Sequence, residues 1–150
     1  MSYPARTIAN WFLSRAARDG DALTQMKLQK LVYIAHGWHL GLYGEPLIME
    51  DVEAWRWGPV IKALYRDFAD FGSSPITAIS PTLVQVDNPT NLFLERVWSQ
   101  YGKFSAVQLS AMTHAPNTPW SLNYGGESQT IRTIPSSTIE QHYKEKLANA

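Results

Sequence analysis

One stretch limits what this chain can fold into more than any other: LTQMKLQKLVYIAHGWHLGLYG, residues 23–44. Leu28, Leu31, Val32, Ala35, Trp38, His39 and Leu42 recur at helical spacing and share one face. Tyr33, Ile34, Leu40 and Tyr43 lie off that face. A helix apolar on more than one side needs neighbours all round it, so this is a central helix. Thr24 is its N-cap, because a hydroxyl there accepts from the free N–H groups of the first turn. Leu23 and Leu28 stand at the spacing of a hydrophobic staple, although Lys27 leaves the capping box incomplete. Gly44 supplies the left-handed stop. Gly37 costs about 1 kcal/mol against Ala in mid-helix, which marks a place where another backbone or a large ring comes close.

The other segments read as shorter elements around that helix. Pro4 opens a first helix whose stripe is Ile8, Ala9, Phe12, Leu13 and Ala16, stopped by Asp19-Gly20-Asp21. Two extended runs follow the central helix, residues 46–49 and 52–57, the second placing Glu53, Trp55 and Trp57 on one side. Together they predict a small two-stranded ribbon that needs helices to lie on. Gly58-Pro59 is expected to open a helix lined by Val60, Leu64, Phe68 and Phe71 and closed by Gly72. Residues 73–88 are irregular, with an edge strand expected over 82–86. Pro89 begins a helix carrying Leu94, Val97, Trp98 and Tyr101. Ser105 and Gln108 form a capping box with Phe104 and Leu109 as its staple. Thr118-Pro119-Trp120 opens one more turn, and 124–134 reads as a loop. The last helix, 136–148, shows Ile139, Tyr143 and Leu147, with Ser137 and Glu140 as a second capping box. The expected fold is mainly α: one domain over 1–150, of about six to seven helices around the buried one, with a small hairpin or ribbon.

Composition narrows the function classes. Thirteen basic and thirteen acidic residues cancel, and no stripe of basic residues marks a nucleic-acid binder. With no Cys in the chain, disulfides, thiol catalysis and Cys-based zinc sites are excluded. No apolar run reaches membrane-spanning length and no signal pattern opens the chain, so a cytoplasmic protein is expected. Six Trp and seven Tyr serve either a large core or a binding surface, where these residues concentrate.

Residue patterns for catalysis are weak throughout. His36 and His39 are three apart on the central helix, but HExxH is absent and a third ligand would have to be His114, His142 or a carboxylate. His39, in the apolar stripe, reads as a hydrogen-bonded core histidine. His114 lacks an activated nucleophile beside it, since no GxSxG occurs and Ser105 is a cap. It reads as a tie between a helix end and the next turn. Neither phosphate-loop pattern is present. No catalytic residue, metal or cofactor is therefore expected.

The run MKLQKLVYIAHGWHLGLYGEPLIMEDVEAWRWGPVIKALYRDF, residues 26–68, resembles the Panacea domain, the family of SocA-like antitoxins and GepA-like phage-associated proteins. KLQKLVYIAHGWHL at 27–40 and GEPLI with EAWRWGPV between Gly44 and Val60 carry the match. YGKFSAVQLSAMTH at 101–114, Pro119-Trp120 and the closing pair Ile139 and Tyr143 extend it. The resemblance implies a mainly helical domain with a small β element. It implies an antitoxin that binds and neutralises a toxin encoded beside it, as a hetero-oligomer with the toxin or as a homodimer. In the SocA branch it implies delivery of that toxin to a ClpXP-type protease. It implies no catalytic set.

The residues expected to contact the partner are Trp55, Arg56, Trp57, Tyr65 and Arg66. Trp, Tyr and Arg are the best interface anchors, and a sheet edge followed by a helix start leaves backbone groups free to bond a partner. The competing reading is that Trp55 and Pro59 form a wedge holding the ribbon on the central helix, with Arg56 and Trp57 open to either use. A small metal- or histidine-dependent enzyme is the alternative function class. With no closed ligand set, the chain should fold without metal. Thermal melts with and without EDTA are expected to superimpose, and a large fall in midpoint with chelator would contradict this.

Overall fold

The computed structural model describes residues 2–126 and 130–150. The chain is mainly α, with seven α-helices among the described residues. They are α1 (Ala5–Arg18), α2 (Gln25–Tyr43), α3 (Lys62–Phe68), α4 (Asn88–Tyr101), α5 (Ala106–Thr113), α6 (Pro119–Asn123) and α7 (Ser136–Ala148), with a 3-10 turn, Ala69–Phe71, after α3. Strands β1 (Val52–Trp55), β2 (Gly58–Val60) and β3 (Arg132–Ile134) form one antiparallel sheet in the order β2-β1-β3.

Helix α2 runs through the middle. It touches α1, α3, α4, α5, α7 and β2, and α7 lies along it most extensively. Its burial is continuous from Leu28 to Gly37, as an all-round apolar pattern requires. Thr24 Oγ1 accepts from the Lys27 N–H at 3.3 Å, and Gly44 closes the helix at φ 69°. Gly37 and Gly41, one turn apart, make the bed for α7. A Cβ at Gly37 would overlap the Tyr143 ring, and one at Gly41 would stand 2.7 Å from Tyr143 Cβ. Because α7 takes the glycine side, the buried arc is turned away from Leu42. Leu42, expected in the stripe, is exposed, as is Tyr43 beside it. Successive residues differ by about 100° around a helix, so small shifts of the arc decide such edge positions. Leu147, likewise expected on the buried face of α7, is exposed.

The hairpin departs from expectation in an instructive way. Regular strand ends at Trp55, and Arg56-Trp57 form the turn. Glu53 pairs with Val60, Ala54 with Pro59 and Trp55 with Gly58. Gly58-Pro59 thus return as a strand, and α3 begins only at Lys62. Gly58 sits at φ 127°, a conformation open to glycine. Pro59 is tolerated because β2 is an edge strand. The third strand, β3, falls inside the expected loop 124–134; three residues are too few to show a period. Residues 127–129 of that loop lie outside the described residues.

Two further expectations fail. Residues 82–86 pair with no strand; the segment before them is held by side chains instead. Asn10 donates to Ser80 O at 2.7 Å and accepts from Ser80 N at 3.0 Å, while Ser80 Oγ donates to Asp67 at 2.8 Å. Helix α7 starts at Ser136 behind Pro135, with no side-chain cap bond, so Ser137 lies inside the helix and its capping box with Glu140 does not form. The box at Ser105 and Gln108 does form, at 2.8 and 3.1 Å. A second one, Thr118 with Ser121, opens α6.

The Gly37–Tyr143 contact sets a test. Alanine there gains about 1 kcal/mol of helix propensity but overpacks the core at a cost of about 1–3 kcal/mol. Gly37→Ala is expected to destabilise the fold in chemical denaturation. Combined with Tyr143→Leu it should cost less than the two single changes added, by about 0.5 kcal/mol or more.

Candidate functional site

The hairpin is held through its main chain. Four carbonyls between residues 55 and 61 meet side chains. Trp55 O accepts from Trp120 Nε1 at 2.5 Å. Trp57 O accepts from Ser110 Oγ at 3.4 Å. Pro59 O accepts from Lys30 Nζ at 3.0 Å. Ile61 O accepts from Gln29 Nε2 at 3.0 Å, and Ile61 N–H donates to Gln29 Oε1 at 2.9 Å. Trp120 is itself steadied by stacking on Tyr124, with ring centroids 4.8 Å apart, and by the edge of His114 at 5.4 Å. His114 Nδ1 meets Ser110 O at the end of α5, the tie expected of it.

On this frame the expected contact residues fall into three groups. Trp55 is half-buried, its indole N–H donating to Glu53 at 2.9 Å and its ring 5.0 Å from that of Tyr65. Trp57, at the turn, is 65% exposed, and the Arg56 guanidinium lies 4.5 Å over its ring. Such cation–π stacking flattens two long side chains onto one another. Tyr65, on α3, is 45% exposed. Trp55, Arg56, Trp57 and Tyr65 together edge a mostly apolar groove of about 660 Å³. Arg66 is exposed on α3 but stands outside that groove.

Sequence reasoning missed the other walls of the groove. Met26 and Lys30, one turn apart on α2, line it with Val60 of β2. Lys30 is only 3% exposed, and burial lowers its pKa to about 8. A signal was present: Lys30 sits within a helix apolar on every side, where no solvated face exists to receive it.

His36 and His39 have structural partners. His36, at 2% exposure, is the core histidine, whereas His39 is half-buried. His36 Nδ1 accepts from Leu47 and Ile48 N–H at 3.2 and 3.4 Å. His39 Nδ1 bonds Glu45 O at 2.6 Å. Among the described residues no group of three or more His, Asp or Glu is placed to hold a metal ion. No helix among them is long and apolar enough to cross a membrane.

The model of the family described as "Antitoxin SocA-like, Panacea domain" matches residues 28–121. The chain belongs to that family. The matched segment takes in α2 from Leu28, the whole hairpin, α3 and α5, and so most of the groove. It stops before β3 and α7. Antitoxin SocA of Caulobacter vibrioides (strain NA1000 / CB15N) is 35% identical over 141 residues, covering 87% of this chain and 75% of that protein. No solved structure matches. The Panacea-family segment therefore carries the side chains that clamp the hairpin, Gln29, Lys30, Ser110 and Trp120, along with the exposed tip.

His36 makes the fold sensitive to acid. Burial, with a smaller push from His39, lowers its pKa from 6.5 to about 4. The unfolded chain then binds the proton more readily, so stability is full above pH 6.5 and falls as pH drops through 4. The loss attributable to this group between pH 7 and pH 4 is about 3 kcal/mol. His36→Gln, which keeps an acceptor for the two N–H groups, should flatten that part of the profile in denaturant melts across pH.

Proposed function

We propose that this protein is an antitoxin that neutralises a cognate protein toxin by direct contact, through the face formed by Trp55, Arg56, Trp57, Tyr65 and Arg66. Membership of the Panacea family and the relative named Antitoxin SocA support the antitoxin role. The observation that carries the location is the exposed Arg56–Trp57 pair at the tip of a hairpin whose backbone is clamped from α2, α5 and α6. An anchor offered on a rigid frame loses little entropy on binding, which is what lets a few residues dominate an interface. Arg66 and Tyr65 extend the same face along α3.

The role is that of a binding module in the cytoplasm, with a hetero-oligomer with the toxin as its working form. His36, His39 and His114 support the non-enzymatic reading, because their Nδ1 atoms are engaged with backbone groups. Handing the toxin to a ClpXP-type protease is the further step proposed for this chain by its likeness to the SocA branch. Toxin half-life with and without the protease separates delivery from simple blocking.

Alanine at Arg56 or Trp57 is expected to weaken toxin binding by about 2 kcal/mol or more each, with little change in melting temperature. Trp55→Ala, which removes half-buried packing on Tyr65, should lower stability as well. Calorimetric titration and thermal melts on the same purified variants, with the toxin taken from the adjacent gene, check this. Variants at Arg56 and Trp57 that bind like the parent would move the interface elsewhere. Failure of the parent to bind or protect against any neighbouring gene product would overturn the antitoxin role.

A further inference from the structure

Lys30 is not explained by its part in the fold. Its ammonium has three donors, and among the described residues its one hydrogen bond is to Pro59 O. Among the described residues no ion pair includes it. Gripping a carbonyl needs no charge: Gln29, the preceding residue, holds Ile61 with a neutral amide. A buried cation without an anion is costly, since desolvation is not offset by an opposite charge. The lowered pKa of Lys30 is the mark of that imbalance.

Lys30 stands at the wall of an open groove, although it is only 3% exposed. Lys30 lines the groove whose walls are Met26, Trp55, Trp57, Val60 and Tyr65. At about 660 Å³ the groove falls within the usual size of a ligand site, about 300–1,000 Å³. Because Lys30 is almost covered, only a slender group can approach its Nζ, which favours a side-chain carboxylate over a chain terminus.

Resting on the antitoxin reading for the partner's identity, we propose that the groove seats an Asp or Glu side chain of the toxin. Its carboxylate bonds Lys30 Nζ, and an adjoining aromatic or large aliphatic residue packs against Trp57, Tyr65 and Met26. Binding then supplies the ion pair that Lys30 lacks among the described residues, and the apolar walls keep water from it. Charge-assisted bonds in a dry site are stronger than neutral ones, so the seat selects an acidic-apolar pair over an apolar surface alone.

Two blocked peptides test this on the full chain: acetyl-Phe-Glu-Leu-amide and acetyl-Phe-Gln-Leu-amide, followed by NMR. The glutamate peptide should bind roughly tenfold tighter and shift the Trp57 indole N–H, the Tyr65 ring and the Lys30 Cε signals. Lys30→Met, which keeps an unbranched side chain, should erase the difference between the two peptides. Should that variant not fold, the peptide pair and the Lys30 Cε shift on the unaltered protein decide alone. Equal affinities, a preference that survives Lys30→Met, shifts confined to another surface, or no binding of either peptide at millimolar concentration would each overturn the seat. These arms need no toxin. A negative result beside intact toxin binding removes the carboxylate seat and leaves the antitoxin role in place.

Discussion

Burying α2 on every side forces its polar side chains to find partners inside the protein, and the rest of the structure is arranged around the partners they take. A buried polar group without a hydrogen bond costs more than the bond itself is worth. Gln29 takes both backbone groups of Ile61, Lys30 takes Pro59 O, and His36 takes the N–H groups of Leu47 and Ile48. Each of these partners lies in a non-helical segment. The same bonds that satisfy the helix therefore pin the segments least able to hold themselves. A three-stranded sheet this short would be marginal alone; here it is fastened to the most buried element of the fold.

Outside α2 the same economy recurs with other side chains. Asn10 of α1 holds Ser80, and Asp67 of α3 accepts from the same serine. Lys27 donates to Gly102 O at 2.7 Å, gripping the end of α4. Trp38 donates to the Tyr101 hydroxyl at 2.8 Å. Irregular backbone is thus anchored by helix side chains rather than by strand pairing, which is why the segment around 82–86 holds its course without a ladder.

This also explains how much was legible in the sequence. The all-round apolar pattern of 28–40 announced the central helix, and Thr24, Gly44 and the Ser105–Gln108 box marked ends that the structure keeps. Gly37 was readable as a close approach, though not that its visitor would be Tyr143, about a hundred residues on. Leu42 and Leu147 misled because periodicity locates a stripe but not the edge of the buried arc, which depends on which neighbour lies where. The Gly-Pro pair after Trp57 was ambiguous: the same dipeptide suits a helix start and an edge strand, and it became a strand because Lys30 and Gln29 seize the carbonyls of 59 and 61. At the candidate site the aromatic tip was legible from residue type. The floor was not, since Met26 and Lys30 come from a segment distant in sequence and only folding sets them beneath the hairpin.

The clamps on the hairpin act on main-chain oxygens, which every amino acid carries. Gly58 is the exception, because a Cβ there would come within 2.8 Å of Lys30 Nζ. On either side of that one glycine, the frame is indifferent to which side chains the turn displays. Mutation at 57 therefore rewrites the outer surface while the fold beneath it stands still. A lineage can exchange that residue as it would exchange the bit of a drill, and descendants of one scaffold can diverge in what they grip long before they diverge in shape.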